Sequence, residues 1–271
     1  MFNKCKVCES KVHEENRKLS LVKCNKCSLV FCKKKYSDLE IISTYDKLYN
    51  TTNQYRTHQR EYQKLKDNQR VKIGFSKKNI LNFLLNKGLT TICEIGAGVG
   101  IVASYLRDYP INYVGIEIDS KTVEKSHRIG LNIKKGAFTE MNKLNFKSDA
   151  IIAFEVIEHL QDLDLFFKLS KNHLTSNGYI GFTVPNYNKR LNYSENYKEK
   201  IFQSGPPIHL NFFTKESIFN ISEYYGFSVE FYKEKKFPYF NYKLFSTYKF
   251  IVKSLFGKYH GSTLQCVLKK K

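Results

Sequence analysis

Residues 91–100, Thr-Ile-Cys-Glu-Ile-Gly-Ala-Gly-Val-Gly, constrain this chain more than any other stretch. A short apolar run ends at an acid, Glu94. Gly96, Gly98 and Gly100 follow, and helical spacing then begins. Glycine at alternate positions lets the backbone turn with positive φ and approach a ligand closely. The dinucleotide fingerprint places glycines at its first, third and sixth positions. Counted from Gly96, the sixth position is Ile101, which excludes that fingerprint. The phosphate-cradling loop needs a closing Gly-Lys-Ser/Thr, which this segment lacks. A bare strand-to-helix turn needs fewer glycines than three.

What remains, acid-x-Gly-x-Gly-x-Gly, resembles motif I of the class I S-adenosylmethionine-dependent methyltransferases. Residues 112–118 read as a second buried strand ending at Glu117, 23 positions after Glu94. That is about the spacing of the second strand in a nucleotide-binding β-α-β unit. The resemblance implies that Glu117 accepts hydrogen bonds from the ribose hydroxyls and that Ile118 packs on the adenine. It assigns Glu94, Gly96, Ala97, Gly98 and Gly100 to the cofactor. Phe138, after Gly136-Ala137, and Phe154, at the end of a later strand, are further expected cofactor contacts.

Two Cys-x-x-Cys steps, Cys5/Cys8 and Cys24/Cys27, are separated by fifteen residues. This is zinc-ribbon spacing, with four thiolates for one tetrahedral Zn²⁺. His13 lies between the steps, but four cysteines already complete the set. Cys32, Cys93 and Cys266 read as small buried apolar residues. Three domains are expected: a ribbon over 1–35, a helical cap over the cofactor pocket at 36–88, and a methyltransferase domain over 89–271. An acceptor-loop insertion is expected near 186–213. The ribbon followed by Tyr45-Asp46-Lys47-Leu48-Tyr49 resembles bacterial methyltransferases that carry an N-terminal zinc ribbon and act on sugars or metabolites.

The remaining pattern alternates strands and helices. Strands are expected at 91–95, 112–118, 131–134, 149–154, 178–184, 227–233 and 262–268. Helices are expected at 99–108, 120–129, 162–174 and 214–225. Helical spacing also runs over 54–86, and a lysine- and aromatic-rich helix is expected at 235–257. The expected fold is α/β, a Rossmann-like, doubly wound, seven-stranded and mostly parallel sheet with a small zinc ribbon. Ligands then bind at the carboxyl ends of the strands.

The strand ending at Phe154 runs into Glu155-Val-Ile-Glu158-His159. On a helical turn, Glu155 and Glu158 share a face. Glu-x-x-Glu-His resembles the segment with which two methyltransferase subfamilies hold a divalent metal. One acts on the terminal ribose of small RNAs and the other on catechol-type ubiquinone precursors. Downstream, Pro206-Pro207-Ile208-His209-Leu210-Asn211-Phe212-Phe213-Thr214 places His209 at the matching histidine. It lacks the second histidine and the Glu-Trp pair of the RNA enzymes and looks more like the sugar and metabolite enzymes. Two roles stay open: His159 or His209 as general base with Glu155, or Glu155, Glu158, His159 and His209 around Mg²⁺ or another divalent ion. The other histidines, His58, His127, His173 and His260, read as surface or helix residues.

The formal charge is +20, which favours anionic partners such as RNA, a phosphorylated sugar or a lipid surface. Lysine outnumbers arginine 38 to 7, whereas phosphate recognition favours the arginine fork. No secretory or membrane-spanning apolar run is present, so a cytoplasmic protein is expected. The expected activity is methylation of an oxygen on a small-molecule or sugar acceptor. An RNA methyltransferase is the alternative, and a binding module with a degenerate methyltransferase fold is the second.

Overall fold

The computed structural model describes residues 1–37, 39–41, 43–44, 53–69, 71–193, 205–238 and 245–271. Tyr45–Tyr49 and parts of the expected acceptor loop and lysine-rich helix lie outside these residues. The chain begins with antiparallel strands β1 (Val12–Asn16), β2 (Leu21–Cys24) and β3 (Val30–Cys32). Helices α1 (Asn53–Lys66) and α2 (Phe75–Leu85) follow, then β4 (Thr91–Ile95), α3 (Ile101–Leu106), β5 (Asn112–Glu117), α4 (Ser120–Arg128) and β6 (Ile133–Lys135). Next come β7 (Ser148–Phe154), α5 (Leu163–His173), β8 (Leu174–Pro185) and β9 (Asn211–Phe212). The chain closes with α6 (Lys215–Tyr224), β10 (Phe227–Glu234), α7 (Phe245–Leu255) and β11 (Thr263–Lys270).

Seven strands form one sheet in the order β10-β11-β8-β7-β4-β5-β6. The run β8-β7-β4-β5-β6 is parallel, and β11 lies antiparallel between β8 and β10. Ala150 to Phe154 are all buried, as a central strand covered on both faces requires. The strand order reverses at β4, between β5 and β7. The ends of these three strands, carrying Glu94, Glu117 and Phe154, therefore lie side by side at the carboxyl edge of the sheet, the usual ligand position in such folds.

The helical spacing of 54–86 resolves into two helices. Asn68 adopts φ 54°, and the Gln69 amide donates back to the Lys64 carbonyl at 2.8 Å. A left-handed asparagine just past a last turn is a helix stop. Within the expected 36–88 cap, α2 is a layer of the core. Its Ile80, Leu81 and Leu84 are fully buried, and Gly181 of β8 lets it approach, since a Cβ there would lie 2.7 Å from Ile80 Cγ2. Asp162 caps α5 by accepting the Leu165 amide, and a Thr214–Ser217 capping box starts α6. β8 starts four residues earlier than expected, directly after α5.

The N-terminal strands form a second sheet, β1-β2-β3-β9, whose last member belongs to the segment after β8. Val30 pairs with Phe212 and Phe31 with Asn211. Val7, Leu29 and Phe31 share one apolar cluster with Ile157, Phe166, Phe213 and Ile221. The ribbon and the large sheet are thus welded through a common core. Part of the positive charge serves the fold: Lys147 and Lys270 donate to carbonyls of the last turn of α5, and Lys171 donates to Tyr225 at the end of α6. Cations there complement the helix dipoles.

Gly181→Val is expected to overpack the α2–β8 contact. Stability should fall by about 1–3 kcal/mol, read as a lower urea midpoint with an unchanged slope.

Candidate active site

Gly96, Gly98 and Gly100 all hold positive φ, at 72°, 55° and 89°. Their roles differ. A Cβ on Gly96 would sit 2.5 Å from Val156 Cγ2, and one on Gly100 would overlap Leu131 Cδ1. Those two glycines allow protein to pack on protein. A Cβ on Gly98 would meet nothing within 4 Å, so its backbone borders open space. The Gly98 amide donates to Glu117 Oε2 at 2.9 Å, and the Asp119 amide donates to Oε1 at 3.0 Å. Burial pushes the Glu117 carboxyl up, opposed by these amides. Each oxygen keeps lone-pair capacity for a further donor. Beside it Ile118 is 64% exposed, unusual for a large apolar residue after a buried strand. This cradle, an open glycine backbone with a buried ribose-competent acid and an exposed apolar flank, fits an adenosyl group.

Glu94 is buried, and the Tyr113 hydroxyl donates to its Oε2. Burial lifts this carboxyl to about 7, against the pull of Lys77 and Tyr113. Lys77 Nζ lies 5.3 Å from the centroid of the Phe154 ring. Phe138 is partly buried, with its ring 5.8 Å from that of Phe166. Lys77 and Tyr113 were not legible as site residues, because neither lies in a motif and each arrives through sheet or helix packing.

After β7 the chain makes a turn in place of the helical turn that would have aligned Glu155 with Glu158. Glu155 holds φ 57°, a left-handed value uncommon for a residue with a side chain. The His159 amide donates to the Val156 carbonyl at 2.9 Å. The two acids diverge as a result. Glu155 is exposed, whereas Glu158 is 1% exposed, and neither of its carboxyl oxygens has a hydrogen-bond partner among the described residues. Burial, reinforced by Glu155, pushes the Glu158 carboxyl well above the ordinary carboxylate range.

His159 Nε2 lies 3.7 Å from Glu158 Oε1, and the His159 and His209 rings meet edge to face at 4.8 Å. The other His159 ring nitrogen, Nδ1, shares a hydrogen bond with the Ile208 carbonyl at 2.9 Å. Glu158, His159 and His209 offer ligand atoms within 4.8 Å of one another. Glu155 does not belong to this cluster. Burial lowers both histidines, His209 to about 4 with added repulsion from His159. Both rings are neutral at pH 7.

The four ribbon sulfurs also converge. Cys5 and Cys27 Sγ lie 3.5 Å apart and Cys8 and Cys24 3.4 Å, and all four fall within 4.8 Å. A tetrahedral ion bound at about 2.3 Å spaces its sulfurs about 3.8 Å apart. The Val7 amide donates to Cys5 Sγ, and the Lys26 and Cys27 amides donate to Cys24 Sγ. Contact with Cys27 pushes the Cys5 thiol down to about 5. His13 instead bonds Asn25 through Nδ1 at 2.6 Å. Cys32, Cys93 and Cys266 are buried free thiols, as expected. His173 is on a helix but buried, sharing a 2.9 Å hydrogen bond with Ser148.

One pH dependence follows from His209. Its ordinary value is about 6.5, and in the folded chain it titrates at about 4. Between these values the unfolded state binds more protons, so stability is lost as pH falls through this window. In protein freed of divalent ions, the His209 Cε1–H signal should titrate near pH 4. His209→Gln should flatten the decline in urea midpoint across the same window.

Residues 57–230 match the family model described as a methyltransferase domain. The ubiquinone biosynthesis O-methyltransferase of Pelagibacter ubique (strain HTCC1062) is 31% identical over 120 residues, covering 40% of this chain and 50% of that protein. The chain thus spans about half the length of this curated relative. Among solved structures, a SAM-dependent methyltransferase from Archaeoglobus fulgidus is similar at a TM-score of 0.52 and 17% identity, covering 73% of this chain and 95% of that one. The plantazolicin methyltransferase BamL, solved with a triazolic desmethylPZN analog and SAH, gives a TM-score of 0.53 at 13% identity, covering 83% and 93%. No helix among the described residues is long and apolar enough to cross a membrane. With the family model matching residues 57–230 of the 271, the chain belongs to the methyltransferase domain family, and its fold is that of S-adenosylmethionine-dependent methyltransferases of known structure.

Proposed function

We propose that the chain methylates an oxygen of a small hydroxylated metabolite or sugar, with the acceptor held at Glu155, Glu158, His159 and His209. The observation that carries this reading is the buried Glu158 carboxyl, without a hydrogen-bond partner among the described residues, beside two neutral histidines. Burying such a group unpaired is costly. A divalent cation among Glu158, His159 and His209 offsets that cost, and the mixed oxygen and nitrogen donor set suits it. When bound, such an ion lowers the pKa of an acceptor hydroxyl. The alternative of a histidine base is weaker, because a general base works best with a pKa near the working pH, and His209 lies at about 4. The left-handed φ of Glu155, three residues before Glu158, is the kind of backbone outlier that gathers at functional sites.

S-adenosylmethionine supplies the electrophilic methyl group. Glu117 takes the ribose hydroxyls, Ile118 flanks the adenine, and the open Gly98 backbone admits the cofactor between them. Ala97, Phe138 and Phe154 complete the wall, and Glu94 with Lys77 polarises its base. The four ribbon cysteines hold a structural Zn²⁺, a closed site that leaves no position for a substrate. The O-methyltransferase name of the Pelagibacter relative supports an oxygen acceptor.

Glu117→Ala is expected to weaken S-adenosylmethionine binding by calorimetry about ten- to a hundredfold, through lost charge-assisted hydrogen bonds. Unchanged affinity would remove Glu117 from the cofactor site. With methyl-labelled cofactor, label should enter phenolic, catecholic or sugar hydroxyls and not tRNA or rRNA; label confined to RNA would overturn the small-molecule reading. In protein with zinc retained, Mn²⁺ should bind with an altered paramagnetic resonance spectrum, and His209→Ala or Glu158→Gln should abolish it. Turnover that persists after chelation of all but the zinc would contradict the second ion.

A further inference from the structure

We infer that the N-terminal ribbon is a working part of the acceptor side, in which Lys6 of the first cysteine knuckle positions the Glu158–His159 turn. The inference rests on the reading of that turn as the acceptor site. Two parts of the N-terminal region bond to Leu160 and Gln161 directly, and a third, β3, reaches residues 157–160 through β9. Lys6, between Cys5 and Cys8, donates from Nζ to the Gln161 carbonyl at 3.1 Å and to the Leu160 carbonyl at 3.4 Å. Its Nζ lies 5.5 Å and 5.6 Å from the ring centroids of Phe2 and Phe31. Past the ribbon, the Tyr36 amide donates to Gln161 Oε1 at 2.7 Å, and Gln161 Nε2 donates to the Tyr36 carbonyl at 2.9 Å.

The third tie runs through β9. β3 pairs with β9, and the Cys32 amide donates to the Leu210 carbonyl at 2.9 Å. The Leu210 and Asn211 amides then donate to the Glu158 carbonyl at 2.8 and 2.9 Å. The Asn211 side chain donates from Nδ2 to the Ile157 and Leu160 carbonyls, each at 2.8 Å. His209 precedes this strand, so the same pairing that anchors the ribbon sets His209 against His159. The cofactor cradle is built mainly from β4, β5 and the turns that follow them, with Phe138 and Phe154 on its wall, and among the described residues none of these hydrogen-bonds to the ribbon or β9. A knuckle fold depends on its ion, because metal binding and folding are linked in such small sites. Loss of Lys6, or of the ribbon's metal, should therefore loosen the acceptor side and spare the cofactor side.

The test is Lys6→Met, which keeps the apolar stem and removes the donor, in full-length protein with zinc content measured. Amide exchange at Leu210 and Asn211 should accelerate about tenfold or more. The ring signals of His159 and His209, recorded at one fixed pH, should both move. S-adenosylmethionine affinity by calorimetry should stay within about twofold. Wild-type exchange and unshifted histidine signals in a zinc-loaded variant would overturn the inference. If Lys6→Met fails to retain zinc, Gln161→Leu, which lies outside the knuckles and cuts the Tyr36 tie, decides by the same two readings. Neither readout uses turnover, so the outcome is separable from that of the acceptor panel.

Discussion

The backbone carbonyl of Glu158 accepts two amides, from Leu210 and Asn211, and the placement of His209 beside His159 hangs on that junction. A buried carbonyl needs a partner, and a two-residue strand such as β9 cannot hold itself in place. β9 is kept by β3 on one side and by the Glu158 turn on the other. Through it the histidine of a distant segment is delivered to the histidine of the turn. The carboxyl of the same Glu158 is left without a hydrogen bond from the described residues, beside those two rings. A residue whose backbone is doubly satisfied and whose side chain is not is poised to meet something else there.

The cofactor half obeys a simpler constraint. Two of the three alternating glycines make room for protein, Val156 at Gly96 and Leu131 at Gly100, and only Gly98 faces open space. The loop is therefore shaped largely by its own packing. Glu117 closes it by taking the Gly98 amide, so the acid on the second strand also serves as a brace for the turn of the first. The parallel order β5-β4-β7 then brings this cradle and the Glu158 turn to one edge.

Much of this was legible in the sequence because it is local. The Glu94-to-Gly100 spacing, Glu117 at the end of the next strand and the paired Cys-x-x-Cys steps each reflect chemistry carried by neighbours along the chain. The divergence of Glu155 from Glu158 was not, since it turns on one left-handed φ that no residue type demanded. Nor were Lys6, Lys77, Tyr113 and Asn211, which act through tertiary contacts; the tie from Lys6 to Gln161 spans 155 positions. The uninterrupted helical spacing of 54–86 concealed a stop at Asn68, because periodicity reports an apolar face and not the continuity of the helix. The +20 charge was ambiguous for a related reason, as lysines that cap helix ends are indistinguishable in composition from lysines that await a polyanion.

If the cradle and the Glu158 cluster face one another across a single reaction centre, a cofactor bound in the cradle directs its sulfur at that cluster. A crystal structure with S-adenosylhomocysteine bound would test it most directly. It should show the ribose on Glu117 and the sulfur directed at the space between Glu155, His159 and His209. A ligand seated on Glu117 with its sulfur turned away from that space, or one bound outside the glycine loop, would contradict the account.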